Sequence, residues 1–249
     1  MRTLVFSDVH GEPGIITGVV EHSNYNPDVD RLIFAGDAIE IGGDSLGCLE
    51  LLDELGAERL LGNHEYAAFT GDPIEPGLLA PDVLQRVNES LTSGRWHLAT
   101  EADGVLITHA GVSDEYLDNY ERAGSVAVFA ERLNVAFAQA MQPFGTGESD
   151  VLEDPGGPLW WRPGWGAEPL PGVVQVVGHS PREMMRRLSG AEDWAERGIH
   201  LVDPYVRGWR LRRFEPPVPV RYAVIEGGAV CGFRSPWTPI PPQADHRFR

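Results

Sequence analysis

The sequence predicts an α/β fold, and three features of its 249 residues lead to that expectation. Short apolar runs recur along the first three quarters of the chain, helical patterns lie between them, and a polar group follows each run. Alternation of strands with helices is typical of α/β architecture. We expect a single domain over residues 1–235 and a proline-rich tail over residues 236–249.

Five continuous apolar runs are the predicted strands of the α/β part. Their hydrophobic residues are consecutive and do not alternate with polar ones, which indicates strands buried on both faces of a sheet. The runs are Thr3–Ser7, Arg31–Ala35, Glu58–Leu61, Val105–Thr108 and Val173–Val177.

Three stretches between these runs have the apolar spacing of helices. Asp44–Leu55 and Pro81–Leu91 are two of them. Gly124–Met141 has the clearest pattern, because its apolar residues recur every three or four positions from Val126 to Met141. This spacing predicts helices that each bury one face against a neighbouring element.

The C-terminal third has a different pattern. Ile199–Val202, Trp209–Phe214 and Val220–Ile225 have the composition of strands without long helices between them, and Gly227-Gly228 indicates a tight hairpin. We therefore expect a mainly antiparallel β layer packed on the α/β part. Residues 236–249 contain four prolines, which favours an extended or disordered tail.

Gly145–Gly172 is an unusually long irregular segment. It contains twelve glycine or proline residues and three of the seven tryptophans. Loops of this length in a compact domain are commonly functional or disordered, and Trp160, Trp161 and Trp165 argue against disorder. A functional loop and a loop held by ordinary aromatic packing both remain open.

Composition and charge exclude several classes of protein. A chain with 42% hydrophobic residues is not disordered as a whole, and two cysteines, Cys48 and Cys231, do not make a disulfide scaffold. A net charge of −17 opposes binding to nucleic acid. No apolar run approaches the ~18 residues of a membrane span, and the N-terminus does not have the pattern of a signal peptide. We expect a cytoplasmic protein without a membrane partner.

Polar side chains that can bind metal ions follow all five predicted strands. The carboxyl edge of an α/β sheet is where ligands bind, and four of the eight histidines fall there. Such a distribution is hard to explain by turn residues alone. The groups are Asp8-Val9-His10-Gly11, Gly36-Asp37, Gly62-Asn63-His64-Glu65, His109-Ala110-Gly111 and Gly178-His179-Ser180.

The donor atoms in these groups indicate the kind of metal. They are carboxylate and amide oxygens and imidazole nitrogens without a thiolate, a mixture that suits Mn²⁺, Fe or Zn²⁺. Six ligands are too many for one tetrahedral ion, but with one bridging carboxylate they fit two ions that clamp a phosphoryl group. The candidates are Asp8, His10, Asp37, Asn63, His109 and His179.

The order of these five groups resembles the calcineurin-like metallophosphoesterase family, over the chain from Thr3 to about Ser180. The resemblance implies a four-layer α/β/β/α sandwich with a dinuclear metal centre, whose ions activate a hydroxide that attacks phosphorus. It also implies a ligand assignment: Asp8 and His10 for the first ion, Asn63, His109 and His179 for the second, with Asp37 bridging.

The same resemblance assigns roles to two residues that do not bind metal. His64 would protonate the leaving-group oxygen as a general acid. Glu40, three positions after Asp37, would orient the His64 ring and raise its pKa, with Glu65 as the rival partner. Glutamate stands at position 40 where aspartate is commoner in the family.

Two departures affect the assignment to a branch. Gly178-His179-Ser180-Pro181 lacks a second histidine, and so resembles the phosphoprotein-phosphatase branch, which includes serine/threonine phosphatases and bacterial diadenosine tetraphosphate hydrolases. That branch has an arginine soon after the second block, whereas Ile41-Gly42-Gly43 contains none.

Arg162 is the candidate for the missing phosphate-binding residue. It lies in a tryptophan-rich segment resembling the one that precedes the last block in bacterial members, where Trp160 and Trp161 are candidate substrate contacts. Arg182, Arg186 and Arg187 are alternatives, although their spacing is more typical of a solvated helix face.

The resemblance implies a metal-dependent phosphatase acting on phosphate monoesters, with phosphoserine and phosphothreonine among the candidates. Two divalent ions are its expected cofactors, Mn²⁺ before Fe or Zn²⁺, and its partner would be a phosphorylated small molecule, nucleotide or phosphoprotein. One alternative is hydrolysis of a dinucleoside polyphosphate or phosphodiester, since the tryptophans could stack on a base. Another is an inactive binding scaffold, which the complete ligand set and His64 disfavour.

Overall fold

A computed structural model describes residues 1–75, 79–141, 150–182, 184–185, 194–204 and 218–237. Three sequence predictions fall outside these ranges. They are the strand Trp209–Phe214, the alternatives Arg186 and Arg187, and the tail beyond residue 237.

Strands and helices alternate over the first half of the chain, as the apolar runs predict. The helices are α1 (Pro13–Ser23), α2 (Ser45–Glu54), α3 (Asn63–Thr70), α4 (Pro81–Thr92), α5 (Leu117–Ala123), α6 (Val126–Ala140) and α7 (Asp150–Glu153). The strands are β1 (Arg2–Phe6), β2 (Asp30–Phe34), β3 (Glu58–Leu60), β4 (Trp96–His97), β5 (Ala99–Ala102), β6 (Val105–Thr108), β7 (Gln175–Val177), β8 (Ile199–Leu201), β9 (Val218–Glu226) and β10 (Ala229–Trp237). Short 3₁₀ turns occupy Asp114–Tyr116 and Ala195–Arg197.

The described strands form two sheets. The larger sheet has the order β10-β9-β1-β2-β3-β4, and the smaller has the order β5-β6-β7-β8. Strands β1 to β4 are parallel to one another, and so are β6 to β8. Each sheet therefore brings the carboxyl ends of consecutive strands to one edge.

Alternate side chains of the central strands face different layers. Val5 and Ile33 of the larger sheet share an apolar cluster with Ile107 and Val176 of the smaller sheet. Residues on the opposite face of the larger sheet, such as Phe6, belong to a second cluster that includes the apolar side chains of α1 and α2. Helix α6 packs on β5 and β6. This arrangement confirms the predicted four-layer α/β/β/α sandwich.

Local sequence signals explain where several helices begin and end. Pro13 starts α1, where a missing N–H costs nothing. Asn24 ends it in the left-handed conformation. The side chain of Asp44 accepts from the Gly47 N–H at 2.8 Å and caps α2, and Ser125 caps α6 in the same way.

Two predictions about strands are wrong. The C-terminal strands that the structure describes do not form a separate antiparallel layer: β8 extends the smaller sheet in parallel with β7, while β9 pairs with β1 in the larger sheet. The fifth strand is shorter than its apolar run, since Val173 and Val174 precede β7. The hairpin at Gly227-Gly228 is confirmed, with both glycines at positive φ. Within the described ranges, every helix is too short or too polar to cross a lipid bilayer.

Candidate metal centre

Loops that follow strands of both sheets meet along one edge of the two packed sheets. We call this edge the rim; it is formed by the residues that follow β1, β2, β3, β6 and β7. The Asp8 N–H donates to the Gly36 carbonyl at 2.9 Å, which joins the ends of β1 and β2. Nδ1 of His109, after β6, lies 2.7 Å from the Ala35 carbonyl, and this contact links the smaller sheet to the larger. The Gly178 N–H donates to the His109 carbonyl at 2.7 Å. The His64 N–H donates to Oδ1 of Asp37 at 3.0 Å, so the group after β3 joins the other four, and all five polar groups of the sequence share one rim.

Close backbone approach explains two of the glycines at the rim. A Cβ on Gly36 would lie 2.6 Å from the Gly62 Cα, and Gly36 also has a φ of +90°. A Cβ on Gly178 would lie 2.2 Å from the Asp8 carboxylate. A larger residue at either position would separate the loops that carry the polar side chains.

Several non-glycine residues of the rim have a left-handed backbone. This conformation is uncommon for residues with a side chain, and it concentrates at functional sites where the surrounding structure holds it in place. It aims successive side chains into the same space. The residues are Asp8, His10, Asp37, Glu40, Ile41 and His179, with φ between 43° and 67°.

Asp37 lies between two groups of potential metal ligands. One group contains Asp37 with His10 and His64, and the other contains Asp37 with His109 and His179. Oδ2 of Asp37 lies 3.6 Å from His10 Nε2 and 3.4 Å from His109 Nε2. A carboxylate in this position can contact two ions at once.

The first set of donors is completed by Asp8. Its Oδ1 lies 3.9 Å from His10 Nε2, and its carboxylate also accepts from the His179 N–H at 2.9 Å and from the hydroxyl of Ser7. These hydrogen bonds fix the Asp8 carboxylate at the rim.

The second set of donors converges on the Asn63 side chain. Oδ1 of Asn63 lies 2.9 Å from His109 Nε2 and 3.0 Å from His179 Nδ1. Asn63 is the first residue of α3, so the turn between β3 and this helix places its side chain between the two histidines.

Hydrogen bonding of the imidazole rings fits a cation. Nδ1 of His10 faces the Ile39 carbonyl at 3.1 Å, and Nδ1 of His109 faces the Ala35 carbonyl. Because a carbonyl only accepts, Nδ1 carries the proton in both rings, and in the neutral rings Nε2 presents a lone pair to the rim. Lone pairs of Nε2, Oδ1 and Oδ2 that face one another need a proton or a metal ion between them. The residues present therefore fit divalent ions.

Burial and charge shift the acidities of these groups in opposite directions. Burial, with help from the neighbouring His64, lowers the pKa of His10 to about 4, so this ring is neutral at pH 7. Burial alone would lower the pKa of His109 too, but the charge of Asp37 outweighs it and raises that pKa to about 9. A cation at the second set must displace this proton.

His64 has a carboxylate partner at Nδ1. Its Nδ1–H donates to Oε2 of Glu40, which is fully buried. Burial would lower the pKa of His64, but the charge of Asp37 and the hydrogen bond to Glu40 raise it above its ordinary value. Nε2 of His64 lies 3.8 Å from Oδ2 of Asp37. His64 also lines a small cavity between the loops of the rim, which we call the rim pocket. The ring can therefore hold a proton where a ligand would meet it.

Glu65, the rival partner, has a different environment. Its carboxylate accepts the backbone N–H groups of Asp37 at 2.9 Å and Ala38 at 2.7 Å. It also accepts the Gly62 N–H at the start of α3. Glu65 therefore ties the loop after β2 to the helix that carries His64.

The tryptophan-rich segment places Arg162 at the rim. Its Nη1 donates to the His179 carbonyl at 2.5 Å, and its side chain lines the rim pocket. Trp160 packs edge-on against the His179 ring, with centroids 6.4 Å apart. Trp161 is 1% exposed and lies under Gly111, so it offers no surface to a ligand. Arg182 is exposed, as the solvated-face interpretation expects.

Asp203 is a residue of the rim that sequence reasoning missed. It is buried, lines the rim pocket, and with burial raises the pKa of Asp8. It follows Ile199–Val202, which the sequence identifies as a strand. The signal for it is the one shared by the other five groups, a polar residue directly after a predicted strand.

The rim pocket is small. Its volume is about 110 Å³, which suits ions and one phosphoryl group. Its wall includes Arg162, His64 and five of the six candidate metal ligands.

Comparison with known proteins identifies similar sequences and folds. A family model described as calcineurin-like phosphoesterase matches residues 1–218. The chain is 29% identical over 128 residues to a symmetrical bis(5'-nucleosyl)-tetraphosphatase of Photorhabdus laumondii, covering 47% of this chain and 46% of that protein. It is 39% identical over 65 residues to serine/threonine-protein phosphatase 1 of Salmonella typhimurium, covering 26% and 30%. The chain spans less than half the length of these curated relatives.

Solved structures resemble the fold over nearly the whole chain. A structure described as a putative diadenosine tetraphosphatase has a TM-score of 0.52 and 18% identity, covering 94% of this chain and 93% of that one. A protein serine/threonine phosphatase of Saccharomyces cerevisiae has a TM-score of 0.54 and 13% identity, covering 98% and 82%. At these identities the likeness concerns the fold alone.

Proposed function

Because the chain belongs to the calcineurin-like phosphoesterase family, we propose that it is a metal-dependent phosphatase that hydrolyses phosphate monoesters at the rim. The observation that carries the proposal is the convergence of two donor sets on Asp37, beside a histidine that is held by a buried carboxylate. Such a site combines positive charge for a phosphoryl group with a proton for its leaving group.

Each donor set would hold one divalent ion. Asp8 and His10 with Asp37 would form the first set, and the His10 ring is neutral at pH 7 because its pKa is lowered to about 4. His64 also lies within reach of this set, but Glu40 holds its Nδ1, and we assign its Nε2 to the proton and not to an ion. The second set takes its ligands from three loops: Asn63, His109 and His179, again with Asp37. When bound, the two ions would supply Lewis-acid activation of the phosphoryl group and of the attacking water. We expect Mn²⁺ to support activity in vitro.

His64 would act as the general acid. Its Nδ1 proton is engaged by Glu40, so Nε2 is the atom that can deliver a proton to the rim pocket. The raised pKa of His64 keeps that proton available near neutral pH. Glu40 acts through His64 and is therefore a positioning residue.

Arg162 would bind the phosphoryl oxygens. The guanidinium has five N–H donors in a planar fork that matches phosphate geometry. Its hydrogen bond to the His179 carbonyl orients the fork at the pocket wall. Arg162 also balances the local acidity of a chain whose net charge is −17.

Hydrolysis of a dinucleoside polyphosphate is the second candidate. It is favoured by the names of several relatives, among them a symmetrical bis(5'-nucleosyl)-tetraphosphatase of Marinomonas that is 40% identical over 124 residues. The metal ions and His64 would have the same roles, because both reactions break a P–O bond. Only the leaving group would differ.

Metal removal tests the proposal directly. Chelation should abolish hydrolysis of p-nitrophenyl phosphate, and added Mn²⁺ should restore it with two ions bound per chain. A panel of phosphopeptides, nucleotides, diadenosine tetraphosphate and bis-p-nitrophenyl phosphate then separates the two candidates. Activity that survives complete metal removal would refute the mechanism.

A further inference from the structure

A second, larger cavity lies farther along helix α3 than the rim pocket, which Asn63 and His64 of the same helix line. Its volume is about 590 Å³, within the ~300–1,000 Å³ range of small-molecule sites. It lies between helix α3, the chain that follows this helix, and the tryptophan-rich segment. Its lining residues are Tyr66, Ala67, Thr70, Asp72, Pro73, Ile74, Glu153 and Trp160.

One wall of this cavity is connected to the general acid. The Glu75 N–H, directly after the wall residue Ile74, donates to Oε1 of Glu40 at 3.2 Å. The other oxygen of the same carboxylate accepts from His64. Glu40 thus joins the proposed proton donor to the chain that forms one wall of the cavity.

The opposite wall is connected to the metal centre. Trp160 lines the cavity and also packs against His179. Its indole N–H donates to the Leu152 carbonyl at 2.8 Å, which fixes the plane of the ring. The Tyr66 hydroxyl donates to Glu153 at 3.2 Å, so the second aromatic ring is also held.

The side chains that line the cavity indicate what kind of ligand it would bind. Two oriented aromatic rings favour a flat ring that can stack on them. The carboxylates of Asp72 and Glu153 accept hydrogen bonds and repel phosphate, which disfavours a leaving group with further phosphates. An uncharged heteroaromatic group with N–H donors meets both requirements.

We propose that this cavity binds the nucleoside of a nucleoside monophosphate while its phosphoryl group occupies the rim pocket. The inference rests on the proposed phosphatase function and specifies its substrate class. In the reaction, the bond between phosphorus and the nucleoside oxygen breaks, and that oxygen takes the proton of His64. Water supplies OH to phosphorus and its second proton returns to His64, so the products are the nucleoside and inorganic phosphate.

A comparison of two substrates tests whether the cavity binds a nucleoside. Adenosine monophosphate and glycerol phosphate have the same reacting phosphoryl group, but only adenosine monophosphate has an aromatic base that could stack in the cavity. We expect kcat/KM with Mn²⁺ to be at least about tenfold higher for adenosine monophosphate, since stacking on aromatic side chains is worth factors of this order.

A cavity-filling variant adds a structural control. Thr70 is exposed, ends α3 and lines the cavity, so Thr70→Trp should lower the ratio of the two kcat/KM values about tenfold. Thr92 is exposed and ends α4 with the same hydrogen bonds to the preceding turn. Thr92→Trp is therefore the matched control and should leave the ratio unchanged.

Three outcomes would overturn the inference. They are equal hydrolysis of the two substrates, a ratio that Thr70→Trp does not change, and a preference of the native chain for a phosphopeptide or for diadenosine tetraphosphate. Absence of hydrolysis of every phosphate ester, glycerol phosphate included, would instead refute the proposed function and this inference with it.

Discussion

Replacing Glu40 with glutamine tests how the fold controls the proton on His64. The side chain of Glu40 is fully buried and accepts from His64 Nδ1 through one oxygen. Glutamine has nearly the same shape and keeps one carbonyl acceptor for His64, so Glu40→Gln removes the charge and, besides it, only the second acceptor, which takes the Glu75 N–H at 3.2 Å. The variant should therefore fold and bind metal as the native chain does.

The expected effect is a lower pKa for His64. A hydrogen bond to a charged group contributes about 1.5–3 kcal/mol, against about 0.5–1.5 kcal/mol for one between neutral groups. Loss of the charge should therefore weaken the hold on the His64 proton by about 1 kcal/mol or more, and the pKa of His64, which Glu40 helps to raise, should fall. The general acid must be protonated, so activity falls as pH rises through this pKa, and in Glu40→Gln the fall should begin at lower pH.

Two substrates distinguish this effect from a general loss of structure. p-Nitrophenolate is a good leaving group that needs little protonation, whereas the alkoxide of glycerol phosphate needs a proton to depart. We expect the pH profile of kcat to shift mainly for glycerol phosphate. Glu50, exposed on α2, provides the control variant Glu50→Gln, which should change neither profile. An unshifted profile, or an equal loss for both substrates, would refute the role assigned to Glu40.

Three further substitutions have distinct expected outcomes. His64→Asn should retain bound metal but lose about 10²–10⁴-fold in turnover of glycerol phosphate; loss of metal in a metal-content assay would make His64 a ligand. Asp37→Asn should lower the occupancy of both ions, and loss of only one would contradict a shared carboxylate. Gly178→Ala should lower the melting temperature by a few to about ten degrees, because overpacking costs about 1–3 kcal/mol. Its new Cβ would meet Asp8, whereas Gly43→Ala, with open space around it, should melt like the native chain.

The parts of the fold that sequence predicted well are those with strong local patterns. Val105–Thr108 is a strand with the predicted bounds, and the predicted Gly124–Met141 helix contains α6. The parts predicted wrongly depend on distant partners. Nothing local to Ile199–Leu201 indicates that it pairs in parallel with β7, because strand pairing is decided by neighbours far away in the chain.

The candidate site shows the same division. The polar residues after the strands could be found from sequence, since the carboxyl ends of parallel strands meet at one edge. The choice between Glu40 and Glu65 as partner of His64 could not be made from local sequence. Glu65 is the next residue along the chain, whereas Glu40 is 24 residues away, and only the backbone path decides which carboxylate reaches the ring. Glu40 has a left-handed backbone, for which a glutamate gives no sequence signal.

The order of strands and helices in the α/β part and the donor types at the strand ends can be predicted from local sequence, because hydrophobic periodicity and side-chain chemistry are local properties. Three relations appear only in the folded chain: Asp37 lies between two donor sets, Trp161 is buried while Trp160 borders a cavity, and Asp203 lies at the rim. These relations join residues that are far apart along the chain. They depend on how two sheets pack together, which no single stretch of sequence encodes.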